Sequence, residues 1–159
     1  IEAVATMATI AKRIERDYPQ KALESHLPST IPNAISAAVS SIARQINAAA
    51  IIPLTKSGAT AKNVSKFRPA TPVLAVTNER SVASTLQLVW GVTPLLIENQ
   101  TSTSKTFDDA MSMAKKMNIL KQGDLVVETA GTLSGVSGST DLVKVGIVSA
   151  EDDNESVFI

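Results

Sequence analysis

The chain has 159 residues, of which 44% are hydrophobic and 3% aromatic, so it is long enough for one globular domain with a core of Ala, Val, Ile and Leu side chains. Its fifteen basic and fifteen acidic side chains cancel, which argues against a general nucleic-acid or membrane surface but leaves room for a local basic pocket. The absence of cysteine excludes disulfides and thiolate metal sites, and the single histidine, His26, cannot build a metal site by itself. We expect a cytoplasmic protein, because no apolar run approaches the roughly 20 residues of a membrane span and no signal peptide is visible.

Two helices and one buried strand are predicted in the first third of the chain. Apolar residues recur every three or four positions over Val4–Ile14 and again over Ile35–Ile46, which is the spacing of one face of a helix. A Tyr-Pro pair soon after the first of these segments should end its helix. The run Ala49–Leu54 is short and uniformly apolar, as is typical of a strand buried on both faces, and Pro53 should lie at its end.

The middle of the chain repeats one pattern three times, a helix followed by a strand. The predicted helices lie near Gly58–Lys66, from about Glu79 to Val89, and along a face formed by Phe107, Ala110, Met111 and Ala114. The strands that follow these helices are predicted at Pro72–Val76, Thr93–Ile97 and Asp124–Thr129. Strand–helix–strand units of this kind form right-handed crossovers between parallel strands.

The last strand, Asp141–Val148, should run in the opposite direction. It follows a loop of only about ten residues, which is too short for a crossover that contains a helix. We therefore predict an α/β fold with three layers, α/β/α, around a five-stranded mixed sheet of order 3-2-1-4-5 whose last strand is antiparallel.

Two loops rich in glycine and hydroxyl groups follow the first and fourth strands, at Thr55–Thr60 and Ala130–Thr140. Ligands of open α/β sheets bind beyond the carboxyl ends of the strands, near the switch in strand order. Since the first and fourth strands are predicted neighbours, both loops should face one crevice. Helix N-termini offer unpaired amides to anions, and glycine permits close approach, so a phosphate is the expected ligand.

Capping alone could explain the same residues. Ser57 is a reasonable N-cap, and loops rich in glycine and serine are often only loops. The first loop is not a Walker loop, because no Gly-Lys-Ser/Thr sequence closes it, and it does not match the dinucleotide-binding glycine pattern. From these residues alone, a capped turn and a phosphate site both stay open.

Longer stretches of the chain resemble one known family. They are LTKSGATAKNVSKFRPATPVLAVT, LVWGVTPLL, LKQGDLVVETAG and GSTDLVKV. In this order and spacing they resemble the C-terminal domain of pyruvate kinase, of the bacterial type, over residues 1–148, which leaves residues 149–159 as an acidic tail. The resemblance implies a regulatory domain, because the family's active site lies in a preceding barrel of about 250 residues.

The resemblance also implies what this domain does not contain. The family's enzyme transfers a phosphoryl group from phosphoenolpyruvate to ADP in glycolysis, with Mg²⁺ and usually K⁺. No catalytic residue, metal site or cofactor is expected in this segment, which should be inactive alone.

An effector site is the main functional feature that the resemblance implies. By matching position, the residues that would cradle an effector phosphate are Thr55, Lys56, Ser57, Gly58 and Thr60. The residues of the second loop that would close over the ligand include Gly135, Ser137 and Gly138. Members that bind fructose 1,6-bisphosphate have an arginine after the glycine and bulky or basic residues in the second loop. Here those positions are Ala59, Thr132 and Leu133, which favours a sugar monophosphate or AMP.

The last strand is predicted to be an exposed edge, and exposed edges are usually paired or covered. We therefore expect Leu142, Val143 and Val145 in a subunit contact, in line with the homotetramer that the resemblance implies. The alternative is a stand-alone module that binds a phosphosugar or nucleotide without kinase activity. An enzyme complete in this chain is disfavoured, because the two loops offer no paired carboxylates or nucleophile–base pair, apart from Asp124 and Glu128 within the fourth strand.

Overall fold

The computed structural model of the chain describes residues 1–17, 30–98, 100–131 and 140–149. The helices are α1 (Glu2–Asp17), α2 (Ile31–Gln45), α3 (Ala59–Lys66), α4 (Arg80–Leu86) and α5 (Thr103–Lys116). The strands are β1 (Ala50–Pro53), β2 (Val73–Thr77), β3 (Val92–Leu96), β4 (Leu125–Gly131) and β5 (Thr140–Ile147). The Tyr-Pro pair, His26 and residues 150–159 lie outside the described residues.

One five-stranded sheet forms the centre of the domain, in the order β3-β2-β1-β4-β5. The first four strands are parallel, and β5 is antiparallel to β4. The predicted strand order and the reversed last strand are thus confirmed. The connection before β5 is too short to cross over the sheet. The chain therefore turns back, and β5 lies antiparallel beside β4.

The two faces of the sheet are covered by separate hydrophobic layers. On one face, α5 packs against four strands through the cluster Ala50, Ile52, Leu74, Val76, Leu95, Phe107, Ala110, Ala114 and Val126. On the other face, α2, α3 and α4 bury a second set, Val39, Ala43, Ile51, Ala61, Val64, Val73, Ala75, Leu86 and Val127. Full burial of one such Leu, Ile, Val or Phe side chain contributes about 1.5–3 kcal/mol. The three-layer architecture predicted from the sequence is confirmed.

The sheet has two edges of different character. At the β3 edge, the N–H of Ile97 and the C=O of Gly91 bond to β2, so the backbone of the alternate residue Pro94 is directed outward. Proline has no N–H to offer there. At the β5 edge, the side chains of Val145 and Ile147 are 48% and 55% exposed.

Helix α1 carries an apolar stripe that joins neither core layer. The stripe consists of Val4, Met7, Ile10 and Ile14, whose exposed fractions are 70%, 69%, 54% and 56%. The helix predicted over Val4–Ile14 is confirmed, but the sequence pattern did not show that the stripe remains exposed. A hydrogen bond of 3.1 Å from Trp90 Nε1 to Glu15 Oε1 joins α1 to the rest of the domain. No helix of the described residues is long and apolar enough to cross a membrane.

Candidate functional site

The loop after β1 is held at the carboxyl edge of the sheet by both neighbouring strands. The Leu54 N–H donates to the Thr129 carbonyl of β4 at 2.8 Å, and the Thr55 N–H donates to the Val76 carbonyl of β2 at 2.9 Å. The Thr55 side chain is buried. These bonds fix where the loop leaves the sheet and therefore where α3 begins.

Gly58 occupies the N-cap position of α3 with a φ of +84°. A left-handed φ of this kind favours glycine. A Cβ atom at this position would lie 3.3 Å from Leu86 Cδ2 and 3.5 Å from Val82 Cγ1 of α4. The helix therefore begins at Ala59, and the interpretation of Ser57 as its N-cap is wrong.

The first amides of α3 donate no hydrogen bond to a side chain at the cap position. Such amides, together with the positive end of the helix dipole, form a site suited to an anion. Beside them, the side chains of Lys56 and Ser57 are exposed, and Lys56 forms no ion pair within the described part of the chain. Lys56 therefore adds one positive charge beside these amides.

Thr60, in the first turn of α3, contacts the first residue of β5. Its hydroxyl lies 2.9 Å from the hydroxyl of Thr140, and both side chains are buried. Thr140 in turn pairs with Gly131 across the two last strands. The second loop therefore leaves β4 and returns to β5 beside the start of α3, as predicted from the strand order. Gly135, Ser137 and Gly138 lie outside the described residues.

Asp124, just before β4, and Glu128, within β4, do not form a pair of carboxylates. Asp124 is a turn residue whose carboxylate accepts the Lys121 N–H at 2.7 Å. Glu128 is fully buried on the α5 face, where Lys144 Nζ of β5 lies 3.1 Å from its Oε2. Burial raises the pKa of Glu128, and the positive charge of Lys144 opposes that rise. Within the described residues, no group of three or more His, Cys, Asp or Glu side chains could hold a metal ion.

A family model for the alpha/beta domain of pyruvate kinase matches residues 33–146. The chain belongs to the pyruvate kinase family. This pyruvate kinase domain is 57% identical over 150 residues to pyruvate kinase 2 of Synechocystis sp., covering 94% of the chain and 25% of that protein. It is 41% identical over 155 residues to the pyruvate kinase of Geobacillus stearothermophilus, covering 94% of the chain and 26% of that protein.

A solved structure supports the same assignment. The structure of Cryptosporidium parvum pyruvate kinase in complex with ADP superposes with a TM-score of 0.70 and 26% sequence identity, over 89% of this chain and 27% of that one. The pyruvate kinase domain thus spans about a quarter of the length of these relatives, and it corresponds to their C-terminal part.

The residues predicted for a subunit contact lie on both faces of β5. Leu142 packs against the α5 layer and Val143 against the α2 layer, so both are half-buried within the pyruvate kinase domain itself. Val145 is the most exposed of the three residues. A role for these residues in assembly remains a prediction.

Proposed function

We propose that this chain is the regulatory domain of a pyruvate kinase and binds a phosphorylated effector at the carboxyl edge of its sheet. The observation that carries the proposal is the meeting of α3 with β5 through Thr60 and Thr140, beside first-turn amides that no cap side chain covers. Gly58, at the N-cap with a left-handed φ, has no side chain to cap those amides. The ligand-facing groups would be these amides with the side chains of Lys56 and Ser57, while Thr55 supports the loop.

A single phosphate fits the described charges better than two. The proposed site has one cationic side chain, Lys56, and the residue after Gly58 is Ala59, which offers no charge. A second phosphate would need further donors to offset its desolvation. We therefore favour a sugar monophosphate or AMP over fructose 1,6-bisphosphate.

Catalysis would belong to the rest of a longer chain. The chain spans about a quarter of its relatives, and the apolar stripe of α1 has no cover among the described residues. Burial of that stripe against the preceding part of a longer enzyme would stabilise both parts. That part would transfer the phosphoryl group from phosphoenolpyruvate to ADP in the cytoplasm, with Mg²⁺ and K⁺ bound there. Residues 1–148 would form the regulatory domain and residues 149–159 a solvated acidic tail.

Assembly would use the open edge of the sheet. In the proposed homotetramer, β5 contributes Leu142, Val143 and Val145 to a contact between copies. The exposed side chains of Val145 and Ile147 support this choice of surface, because an uncovered strand edge is prone to pairing.

The effector proposal is tested by thermal unfolding of the chain with AMP, ribose 5-phosphate, glucose 6-phosphate and fructose 1,6-bisphosphate. A ligand at about 100 times its Kd should stabilise the fold by about 2.7 kcal/mol. Ser57→Ala should weaken binding roughly 10- to 150-fold, since a hydrogen bond to a charged group contributes about 1.5–3 kcal/mol. Ser84→Ala, on exposed α4, is the matched control.

A second pair of variants separates charge from backbone strain. Gly58→Ala and Gly58→Asp both impose a side chain at a left-handed φ and against Leu86 and Val82, but only the aspartate adds a negative charge beside the proposed anion site. The stabilisation by ligand should therefore fall further in Gly58→Asp than in Gly58→Ala. If no phosphate compound raises the unfolding temperature of the wild type, the first loop is only a turn. In a coupled assay for pyruvate formation, the chain alone should read background.

A further inference from the structure

Glu128 is an unusual residue for the centre of a hydrophobic layer. It shares the α5 face of β4 with Val126 and Ala130, and its relative exposure is 0%. Neither of its carboxylate oxygens receives a well-aligned hydrogen bond from the described residues. The ammonium group of Lys144, 3.1 Å from Oε2, is its close counter-charge.

The strand opposite Glu128 is shaped to accept it. Lys144 is the direct cross-strand partner, and Gly146 is the next residue of β5 on the same face. A Cβ atom on Gly146 would lie 2.5 Å from Glu128 Oε1 and 3.2 Å from Val126 Cγ2. The missing side chain at residue 146 therefore makes the space that the carboxylate occupies.

Stability alone does not explain this arrangement. Only the carboxylate is buried, since the Lys144 side chain is 52% exposed, and a buried charge is costly to bring out of water even when it is paired. Where such pairs serve a purpose, the best-attested one is to specify one alignment among competing alignments. Edge strand β5 has such competitors, because a slip by two residues keeps the same side chains on the same face.

A two-residue slip would change two contacts at once. It would place Leu142 or Gly146 opposite Glu128 instead of Lys144, leaving a buried carboxylate without its cation. It would also move Thr140 along the strand by roughly 7 Å, away from Thr60. The alignment of β5 therefore decides whether the hydroxyl contact at the proposed effector site can form.

We propose that the Glu128–Lys144 pair is a pH-sensitive register lock that holds β5 in the alignment which places Thr140 against Thr60. Glu128 and Lys144 are thus positioning residues. The consequence for effector binding rests on the proposed function, whereas the alignment itself does not.

The pH sensitivity follows from the charges that face Glu128. They are Lys144 from β5 and Asp108 from α5, while its neighbour on β1, Ile52, is apolar. In a slipped alignment the carboxylate would lose Lys144 and would be harder to ionise. Proton uptake by Glu128 therefore favours slipped alignments over the native one.

The alignment can be read without any ligand, from nuclear Overhauser effects between backbone protons of β4 and β5. We expect the wild type to give one set of contacts at about pH 8, with Glu128 opposite Lys144. Lowering the pH towards 4.5, the ordinary value of a glutamate, should add a second set for β5 and Thr140. Glu128→Gln and Glu128→Met should show both sets at either pH. Two variants are used so that a failure of one to fold leaves the other.

A parallel titration with inorganic phosphate, followed at the Gly58 amide, tests the consequence for the site. If half of the molecules have slipped, the apparent affinity should fall about twofold. A wild type that does not bind phosphate contradicts the proposed function and leaves the alignment result intact. A single native set of contacts in whichever Glu128 variants fold, at both pH values, would overturn the register lock.

Discussion

The hydroxyl groups of Thr60 and Thr140, eighty residues apart in the sequence, lie 2.9 Å apart in a buried contact between the first turn of α3 and the start of β5. Because each hydroxyl is the other's partner, removing one leaves a buried polar group unsatisfied. Thr60→Val or Thr140→Val alone should lower the unfolding free energy by about 1–3 kcal/mol. The double variant should cost less than the sum, since two apolar groups of the same shape replace both partners. Urea unfolding of the four proteins gives the coupling energy, and additive effects would show that the contact contributes nothing.

Gly146→Ala should destabilise the domain by about 1–3 kcal/mol, because its methyl group would overlap the carboxylate of Glu128. The same change in a Glu128→Ala background should cost much less, since the overlapping atoms are gone. Gly123→Ala is the control for a glycine with open space around it, although its φ of +84° adds backbone strain. Denaturant midpoints report the stability of the wild type and of the four variants. An equal cost in both backgrounds would mean that Glu128 does not set the space.

The stability of the domain should depend on pH through Glu128. Burial raises its pKa in the folded state above the ordinary value of 4.5, so the folded state holds this proton more tightly than the unfolded state. The resulting stabilisation is fully present below pH 4.5 and is lost as the pH rises through the raised pKa. Relative to Glu128→Gln, the wild type should therefore lose up to about 1.4 kcal/mol per pH unit within that window.

Lys144→Met provides the control for this pH dependence. The charge of Lys144 lowers the pKa of Glu128, so its removal should move the window to higher pH and reduce stability at neutral pH. Unfolding free energies from urea titrations at several pH values measure both effects. A difference between wild type and Glu128→Gln that does not change with pH would contradict the buried-carboxylate explanation.

The apolar stripe of α1 should matter only where the rest of a pyruvate kinase is present. In the chain alone, Met7→Ser should change the unfolding free energy by less than about 0.5 kcal/mol, because Met7 is already 69% exposed. In a full-length enzyme the same change should lower the melting temperature. Lys12→Ser, on the side of α1 away from the stripe, is the matched control. Equal effects of the two substitutions in the full-length enzyme would argue against a covered stripe.

Val145→Lys should weaken assembly of a full-length enzyme while leaving the fold of the domain intact. Val145 lies on the open edge strand with 48% of its surface exposed, so a lysine there costs little in a monomer but places a charge in any contact between copies. Thr93→Lys, an exposed position on the opposite edge strand, is the control. Sedimentation measures the assembly, and an unchanged tetramer would count against the predicted contact.

Strand order was predictable from the sequence because it depends on coarse features. Short apolar runs marked the buried parallel strands, and the length of the connection before β5 decided its direction. Both arguments use spacing, which a single sequence displays directly. The convergence of the two loops followed from the strand order alone.

Side-chain partners were less predictable, because they depend on exact registers. Residue preference favours Ser57 as a cap of α3, whereas the N-cap is the next residue, Gly58, whose left-handed φ favours glycine. The pairing of Glu128 with Lys144 depends on a register irregularity between Ala130 and Gly131. This irregularity cannot be predicted from the residue types. The acidic residue within the apolar run of β4 is visible in the sequence, but the sequence does not indicate which residue pairs with it.

Pro94 limits how far the sheet can grow. A further strand can add only where an edge offers unpaired donors and acceptors, and Pro94 removes a donor from the middle of the β3 edge. The β5 edge carries no proline among its described residues. If two copies pair through β5, neither copy has a further edge that can accept a strand. The joined sheet then has ten strands and ends in β3 on both sides. Such a contact relates the copies by a twofold axis and closes on itself, so it yields a discrete pair of domains and not a fibre.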